Sequence, residues 1–206
     1  MKTRRLALLV LACFSACALA AAAAAPSESD EYTRYELLAP GTSQFHILYE
    51  VTATSPGAAY FFNPIRKGSE ASGESVTDLA SGKPLAFDVV SGEEARRGGA
   101  ADAEADVSYI RVKLPRPVPN GGGVRLLIDK TYKDPKSYSA AGDTIVFSRS
   151  LGIRRNSIVL PAGYEVIECN VAAQVLREAD GRLKVSFMNL ALDPASVVIR
   201  ARRLAR

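Results

Sequence analysis

Side chains that ordinarily carry chemistry are scarce in this chain, and the scarcity sets the first bounds. Of 206 residues one is histidine, His46, and three are cysteine, Cys13, Cys17 and Cys169. A zinc site of the H-E-x-x-H kind, or a Cys/His cluster, needs ligands that the chain does not have. Any nucleophile–base pair would have to recruit His46, which alternates with Phe45, Ile47, Tyr49 and Val51 and reads as a half-exposed sheet histidine. There is no G-x-S-x-G elbow, and Gly121, Gly122 and Gly123 lack the strand–glycine–helix context that aims amides at a phosphate. Asp102, Glu104 and Asp106 offer hard-cation oxygens, but calcium takes about six to eight of them on a fixed turn, so these residues read as a solvated acidic loop. Cys169, beside Ile167 and far from any histidine, reads as a small buried hydrophobe. The expectation is a chain with no catalytic residue, no metal and no cofactor.

One constellation does point to chemistry, and that chemistry is anion recognition. Lys130, Tyr132, Lys133, Lys136 and Tyr138 form one basic and aromatic group, and Arg149, Arg154 and Arg155 form another. From Lys130 to Arg155 six basic residues face two acidic ones, a balance of +4. Guanidinium forks and tyrosine rings at one edge of a sheet would suit an envelope glycan, a lipid head group or an acidic protein segment. The competing reading is a set of solvated side chains that cap strand ends.

The elements that must position these residues read as strands. Thr144–Phe147 and Ile158–Leu160 are short apolar runs with turn residues at their ends, and the basic loop from Arg149 to Asn156 lies between them. Alternation marks further strands around Phe45–Val51, Val107–Lys113, Val124–Tyr132 and Ala195–Ala201. Hairpins are predicted through Ser81–Pro84 and, most clearly, at Asp180–Gly181, pairing Val175–Glu178 with Leu183–Met188. Residues 91–106 carry glycines, alanines and acids with little to bury, which predicts an exposed mobile loop. Roughly a dozen short strands with no helical period and no fixed repeat predict an all-β fold, an antiparallel β-sandwich over residues 26–206. A division into two packed β-subdomains near 91–106 is the alternative.

Residues 1–25 read as an export leader: Lys2, Arg4 and Arg5, an apolar run to Leu19, then alanines. The whole chain has a formal charge of +4, but beyond the leader the balance falls to +1. A periplasmic or extracellular location follows, where nucleic acid is not an expected partner. Cys13 and Cys17 open a second reading, lipidation and an envelope-anchored protein, and an uncleaved leader is a third. Charge beyond the leader is uneven: residues 26–110 hold 6 basic and 14 acidic side chains, residues 111–206 hold 17 and 8. Such halves can attract each other within one chain, stack between chains, or meet an anionic partner.

The order Tyr49 and Val51, then the bulky Tyr60–Asn63, then a hairpin through Asp78, Gly82 and Pro84 resembles the non-catalytic N-terminal β-sandwich of secreted zinc aminopeptidases. The resemblance covers the first half of the chain beyond the leader and brings no catalytic residue with it. It implies a free-standing relative of an accessory domain. The function expected is therefore a non-catalytic exported binding or assembly module of the cell envelope. An enzyme with an unrecognised carboxylate or tyrosine site, and a subunit that self-associates through its oppositely charged halves, are the alternatives.

Overall fold

The computed structural model describes residues 30–191 and 193–205. Residues 1–25, read above as an export leader and holding Cys13 and Cys17, lie outside the described residues. Fifteen strands and one short helix follow in the order β1 (Tyr32–Leu37), β2 (Gln44–Ala53), β3 (Tyr60–Pro64), β4 (Glu70–Asp78), β5 (Lys83–Pro84), β6 (Phe87–Ser91), α1 (Gly92–Arg97), β7 (Ser108–Lys113) and β8 (Val124–Lys133). The order continues with β9 (Tyr138–Ala141), β10 (Thr144–Leu151), β11 (Arg155–Val159), β12 (Tyr164–Cys169), β13 (Gln174–Arg177), β14 (Leu183–Met188) and β15 (Ala195–Arg203). The fold is all-β and sandwich-like.

The main layer is an eight-stranded sheet, ordered β13-β14-β11-β1-β2-β8-β4-β5. Strict period-two alternation builds it: in β2 the residues Phe45, Ile47, Tyr49, Val51 and Ala53 are buried and their neighbours are not. Two smaller sheets, β12-β15-β10-β9 and β3-β7-β6, supply the other side. One hydrophobic core joins all three, with Phe45, Leu126 and Ile128 from the large sheet, Phe147 and Ile199 from the four-stranded sheet, and Ile110 and Val112 from the three-stranded one. Phe147 and Phe45 meet edge-on at 5.8 Å between ring centres, a contact that locks the four-stranded sheet onto the large one.

Four local expectations are corrected. Pairing is antiparallel except between β1 and β11, which run parallel with Tyr35 opposite Ile158. The stretch around Arg149 is not a loop between neighbouring strands: β10 continues to Leu151 because Phe147, Arg149 and Leu151 all point inward, and β10 and β11 belong to different sheets. Lys136 and Tyr138 do not stand together at an exposed sheet edge, since Asp134, Ser137 and Tyr138 are buried and β9 pairs with β10. Nor is 91–106 exposed and empty. Ser91 Oγ accepts the Glu94 N–H at 3.3 Å and the Glu94 carboxylate accepts the Ser91 N–H at 3.0 Å, a reciprocal cap that starts α1. Ala95 and Ala103 are buried with Val90, Val107 and Tyr109 in a satellite cluster. Gly92 abuts the chain so closely that an added Cβ would lie 1.8 Å from the Glu104 carbonyl oxygen.

The outer face of the large sheet is charged and internally paired. Arg182 meets Glu36 at 3.1 Å, Arg125 meets Glu50 at 3.0 Å and Arg155 meets Asp30 at 3.2 Å, each joining a base of the second half to an acid of the first. The opposite charges of the two halves are thus met in part within the chain.

Candidate functional site

Where the covering layer passes from the four-stranded to the three-stranded sheet, a cleft of about 330 Å³ reaches the buried face of the large sheet. Its floor is Thr33 and Tyr35 of β1, Ile47 and Tyr49 of β2, and Lys130 and Tyr132 of β8. Asn63, Pro64 and Arg66 line one side; Arg149 to Ile153 line the other. Lys130 is placed there by the pleat. On β8 the inward positions are Val124, Leu126, Ile128, Lys130 and Tyr132, so a lysine occupies a site in phase with the core and is only 4% exposed. Arg149 takes the equivalent position on β10, between Phe147 and Leu151, and is 8% exposed.

These two cations are partnered very differently. Arg149 Nη1 donates to Asp134 Oδ2 and to Ser137 Oγ, both at 3.1 Å. Its guanidinium carbon lies 5.4 Å from the centre of the Phe45 ring, 5.6 Å from that of Tyr132 and 5.9 Å from that of Tyr35, an aromatic cage for a planar cation. Lys130 Nζ donates to the side-chain oxygen of Asn63 and sits 4.9 Å from the centre of the Tyr132 ring. Among the described residues no carboxylate lies within ion-pair distance of Lys130.

Electrostatics follow from that difference. Burial, then the neighbouring Arg149 charge, pulls the Lys130 amine down to about 7, with only a weaker opposing pull from Glu74. Burial also lowers Arg149 and raises the phenols of Tyr35 and Tyr132. Asp134 is pulled up by burial, but hydrogen bonds from Ser137 and Ser69 and the Arg149 charge outweigh it and hold the carboxyl below its usual range. At the mouth, exposed Arg66 donates Nη1 to the Ser150 carbonyl at 3.3 Å and its backbone N–H to Tyr132 Oη at 3.3 Å. One buried oxygen of the floor, Thr33 Oγ1, has no hydrogen-bond partner. The cleft therefore carries excess positive charge in a low-dielectric setting, with unfilled hydrogen-bonding capacity. An anion is the species such a site stabilises.

Of the eight residues expected at the surface, Lys130, Tyr132 and Arg149 come together in the cleft, but on strands and buried. Tyr138 is fully buried, with its hydroxyl donating to the Leu38 carbonyl at 3.0 Å, and offers no binding surface. Lys133, Lys136 and Arg154 are exposed; Lys133 ends β8 with Nζ 3.9 Å from Glu70, and Arg154 lies in the short link between β10 and β11. Arg155 is half-buried against Asp30. Asn63, Arg66, Thr33, Tyr35 and Asp134 escape notice in the sequence, because only tertiary packing brings them to this place. His46 stands on the outer face of β2 and bonds Asp129 across to β8. Cys169 is half-buried, its thiol 3.4 Å from the Val171 carbonyl. Among the described residues no group of three or more His, Cys, Asp or Glu side chains is placed to hold a metal ion.

No protein-family model matches the sequence, and no curated protein matches it. Solved structures do match. An M1 zinc metallopeptidase from Deinococcus radiodurans superposes with a TM-score of 0.51 at 11% identity, over 84% of this chain and 41% of that one. An aminopeptidase N family protein from Idiomarina loihiensis gives a TM-score of 0.47 at 8% identity, over 82% and 29%. The shared fold is that of the N-terminal domain of the M1 aminopeptidases, not of their catalytic part. This chain spans about two fifths of the Deinococcus peptidase, and the likeness runs through most of the chain instead of its first half alone.

Proposed function

We propose that this chain is a non-catalytic binding module whose ligand presents a small anionic group to the cleft between the two covering sheets. One observation carries the reading: Lys130 and Arg149 are both buried at the same cleft, and among their bonding partners only Asp134 is a carboxylate. Asp134 already accepts hydrogen bonds from Ser137 Oγ at 2.6 Å and Ser69 Oγ at 3.1 Å, so it does not neutralise Lys130 as well. A desolvated ammonium without a counterion is costly, and an incoming anion relieves that cost. The likeness to an accessory domain supports binding over turnover. With the leader read from residues 1–25, the module would act in the periplasm or outside the cell, on an anionic group of an envelope glycan, lipid or protein.

Titration calorimetry at low ionic strength with inorganic phosphate, acetate and lactate tests this on the purified chain. Saturable binding by at least one of them is expected, weakened about tenfold or more in Lys130→Met and in Arg66→Ala, the factor that one charge-assisted hydrogen bond provides. Binding that is absent, or unchanged in both variants, refutes the reading. Arg66 is exposed, so its substitution leaves the core intact.

A further inference from the structure

Anion binding leaves one property of the cleft unused: Lys130 is an amine as well as a charge. Its one hydrogen-bond partner, the Asn63 side-chain oxygen, is an acceptor. Once the ammonium gives up a proton, an N–H still serves Asn63 and the nitrogen lone pair has no other commitment. We propose that Lys130 Nζ condenses reversibly with the carbonyl carbon of a small oxo acid seated in this cleft, giving an imine.

The geometry supports both halves of that ligand. A carboxylate finds Arg149 and Arg66, while the carbonyl carbon must lie against Nζ. Lys130 and Arg149 line the same cleft, and with Nζ and the guanidinium carbon 4.9 Å and 5.6 Å from the centre of the same Tyr132 ring they are separated by 10.5 Å at most, a limit within which a small oxo acid can meet both. A cleft of about 330 Å³ with Ile47, Leu151 and aromatic walls also limits the water that would hydrolyse the product. The amine is held down to about 7, so its neutral, nucleophilic form is populated in neutral solution. Burial sets this titration first; the charged groups that add to it are Arg149, which lowers it further, and Glu74, which opposes. Glu74 sits at the register shift of β4 between Ser72 and Ser75. The Tyr35 and Tyr132 phenols facing the same space stay neutral because burial raises them, and the Asp134 carboxylate is engaged with Arg149.

In the reaction the nitrogen lone pair attacks the carbonyl carbon, the C–N bond forms, and the C=O π pair moves to oxygen, which takes up a proton. The carbinolamine then forms C=N as that oxygen departs in water, taking with it the equivalent of the two amine hydrogens. Amine and carbonyl become imine and water, with no oxidant or reductant required. The inference rests on the anion-binding reading, because the carboxylate is what brings the carbonyl to the lysine.

Borohydride trapping decides it. The purified chain is incubated with pyruvate, reduced, digested and analysed by peptide mass spectrometry. One adduct per chain is expected, at Lys130, and, with each rate taken relative to that of free Nα-acetyl-lysine under the same conditions, it should form about tenfold faster with pyruvate than with acetaldehyde, which lacks the carboxylate. The Lys130→Arg variant, with its fold verified by circular dichroism, should show none, and lactate should slow trapping in the wild type. No adduct, or equal labelling of the exposed Lys67, Lys133 and Lys136, overturns the inference. If phosphate, acetate or lactate still binds saturably in that case, the anion-binding reading survives; if none of them does, both fall. Equal rates for pyruvate and acetaldehyde, each relative to free Nα-acetyl-lysine, would remove the oxo-acid assignment.

Discussion

Replacing Lys130 by methionine should stabilise the protein at neutral pH and lose that advantage in alkali. Methionine keeps most of the stem that packs against Tyr132 and removes the ammonium. Folding lowers the amine from its ordinary 10.5 to about 7, through burial first and the Arg149 charge second. At about 1.4 kcal/mol for each unit, the buried ammonium opposes folding by roughly 5 kcal/mol. Against that, methionine leaves the Asn63 oxygen without its donor, a loss of about 1–3 kcal/mol. The variant is therefore expected to be more stable by roughly 2–4 kcal/mol at neutral pH and below. The sign with pH follows from proton counting. Below about pH 7 both states of the wild type hold the lysine proton and the difference is flat. Between there and 10.5 the unfolded chain keeps a proton that the folded chain has shed, so wild-type stability climbs while that of the variant does not. Near the upper limit the variant should become the less stable of the two by the Asn63 term. Burial raises the Tyr35 and Tyr132 phenols, which lowers stability near the alkaline limit in both proteins alike and so cancels in the difference. Urea denaturation of both proteins from about pH 6 to about pH 10 gives the difference directly. Far-UV circular dichroism is the probe, since the chain has no tryptophan. A difference that does not change with pH, or a variant less stable at neutral pH, would refute the view of Lys130 as an unneutralised buried charge.

Three further outcomes follow from the same structure. Arg149→Met should destabilise by about 3–5 kcal/mol in urea denaturation, because it removes the cation bonded to Asp134 and the occupant of the aromatic cage; a loss under about 1 kcal/mol would show that Ser69 and Ser137 suffice for that carboxylate. Thr33→Val removes a buried hydroxyl that has no partner, so a gain of about 1 kcal/mol is expected, with anion affinity lowered if the ligand uses that hydroxyl. A loss of stability in its place would reveal a bond that Thr33 makes within the folded chain. Ser91→Ala should cost about 1 kcal/mol through the reciprocal cap of α1 and raise amide exchange across 92–97, while exchange in β2 and β8 stays slow; uniform acceleration would mean that α1 is not a local unit.

Legibility in the sequence tracked how local the determining physics is. The strand character of Phe45–Val51 and Val124–Tyr132 is written in period-two alternation, and the hairpin at Asp180–Gly181 in turn chemistry; both are present, with Arg177 opposite Leu183. The same alternation puts Lys130 in phase with Ile128 and Tyr132 and so marks it as inward, against the general preference of lysine for solvent. The cap of α1 was also available, as Ser91 followed by Glu94 at the spacing of a capping box, yet the glycines and acids of 91–106 hid it. What could not be read locally is the joint between sheets. Nothing near Arg149 in sequence says that β10 joins one sheet and β11 another, or that Asn63 and Arg66 arrive beside it from a third direction.

The position of the cleft has a mechanical origin that also explains its charge. An eight-stranded sheet is faced by a four-stranded and a three-stranded one, and two covering sheets do not close over it as a single one would. The joint falls where β10 and β3 reach their ends, over the middle strands β1, β2 and β8. Apolar side chains there would extend the core cheaply, and Ile128 and Phe147, one pleat position back from Lys130 and Arg149, do so. Two cations at the next positions forgo that stabilisation and add a desolvation cost. Removing them should raise stability only where the group left behind costs less than the buried charge did, which is why Lys130, with its single neutral amide partner, and Arg149, with its carboxylate, are expected to respond in opposite directions to the same substitution. An anion that occupies the joint reverses the balance for Lys130 alone. Saturating phosphate or lactate should therefore shrink the stability gap between wild type and Lys130→Met, by about 1.4 kcal/mol for a tenfold difference in affinity, because the folded wild type binds it more tightly than the variant does. An unchanged gap at saturation would separate the buried charge from any role in binding.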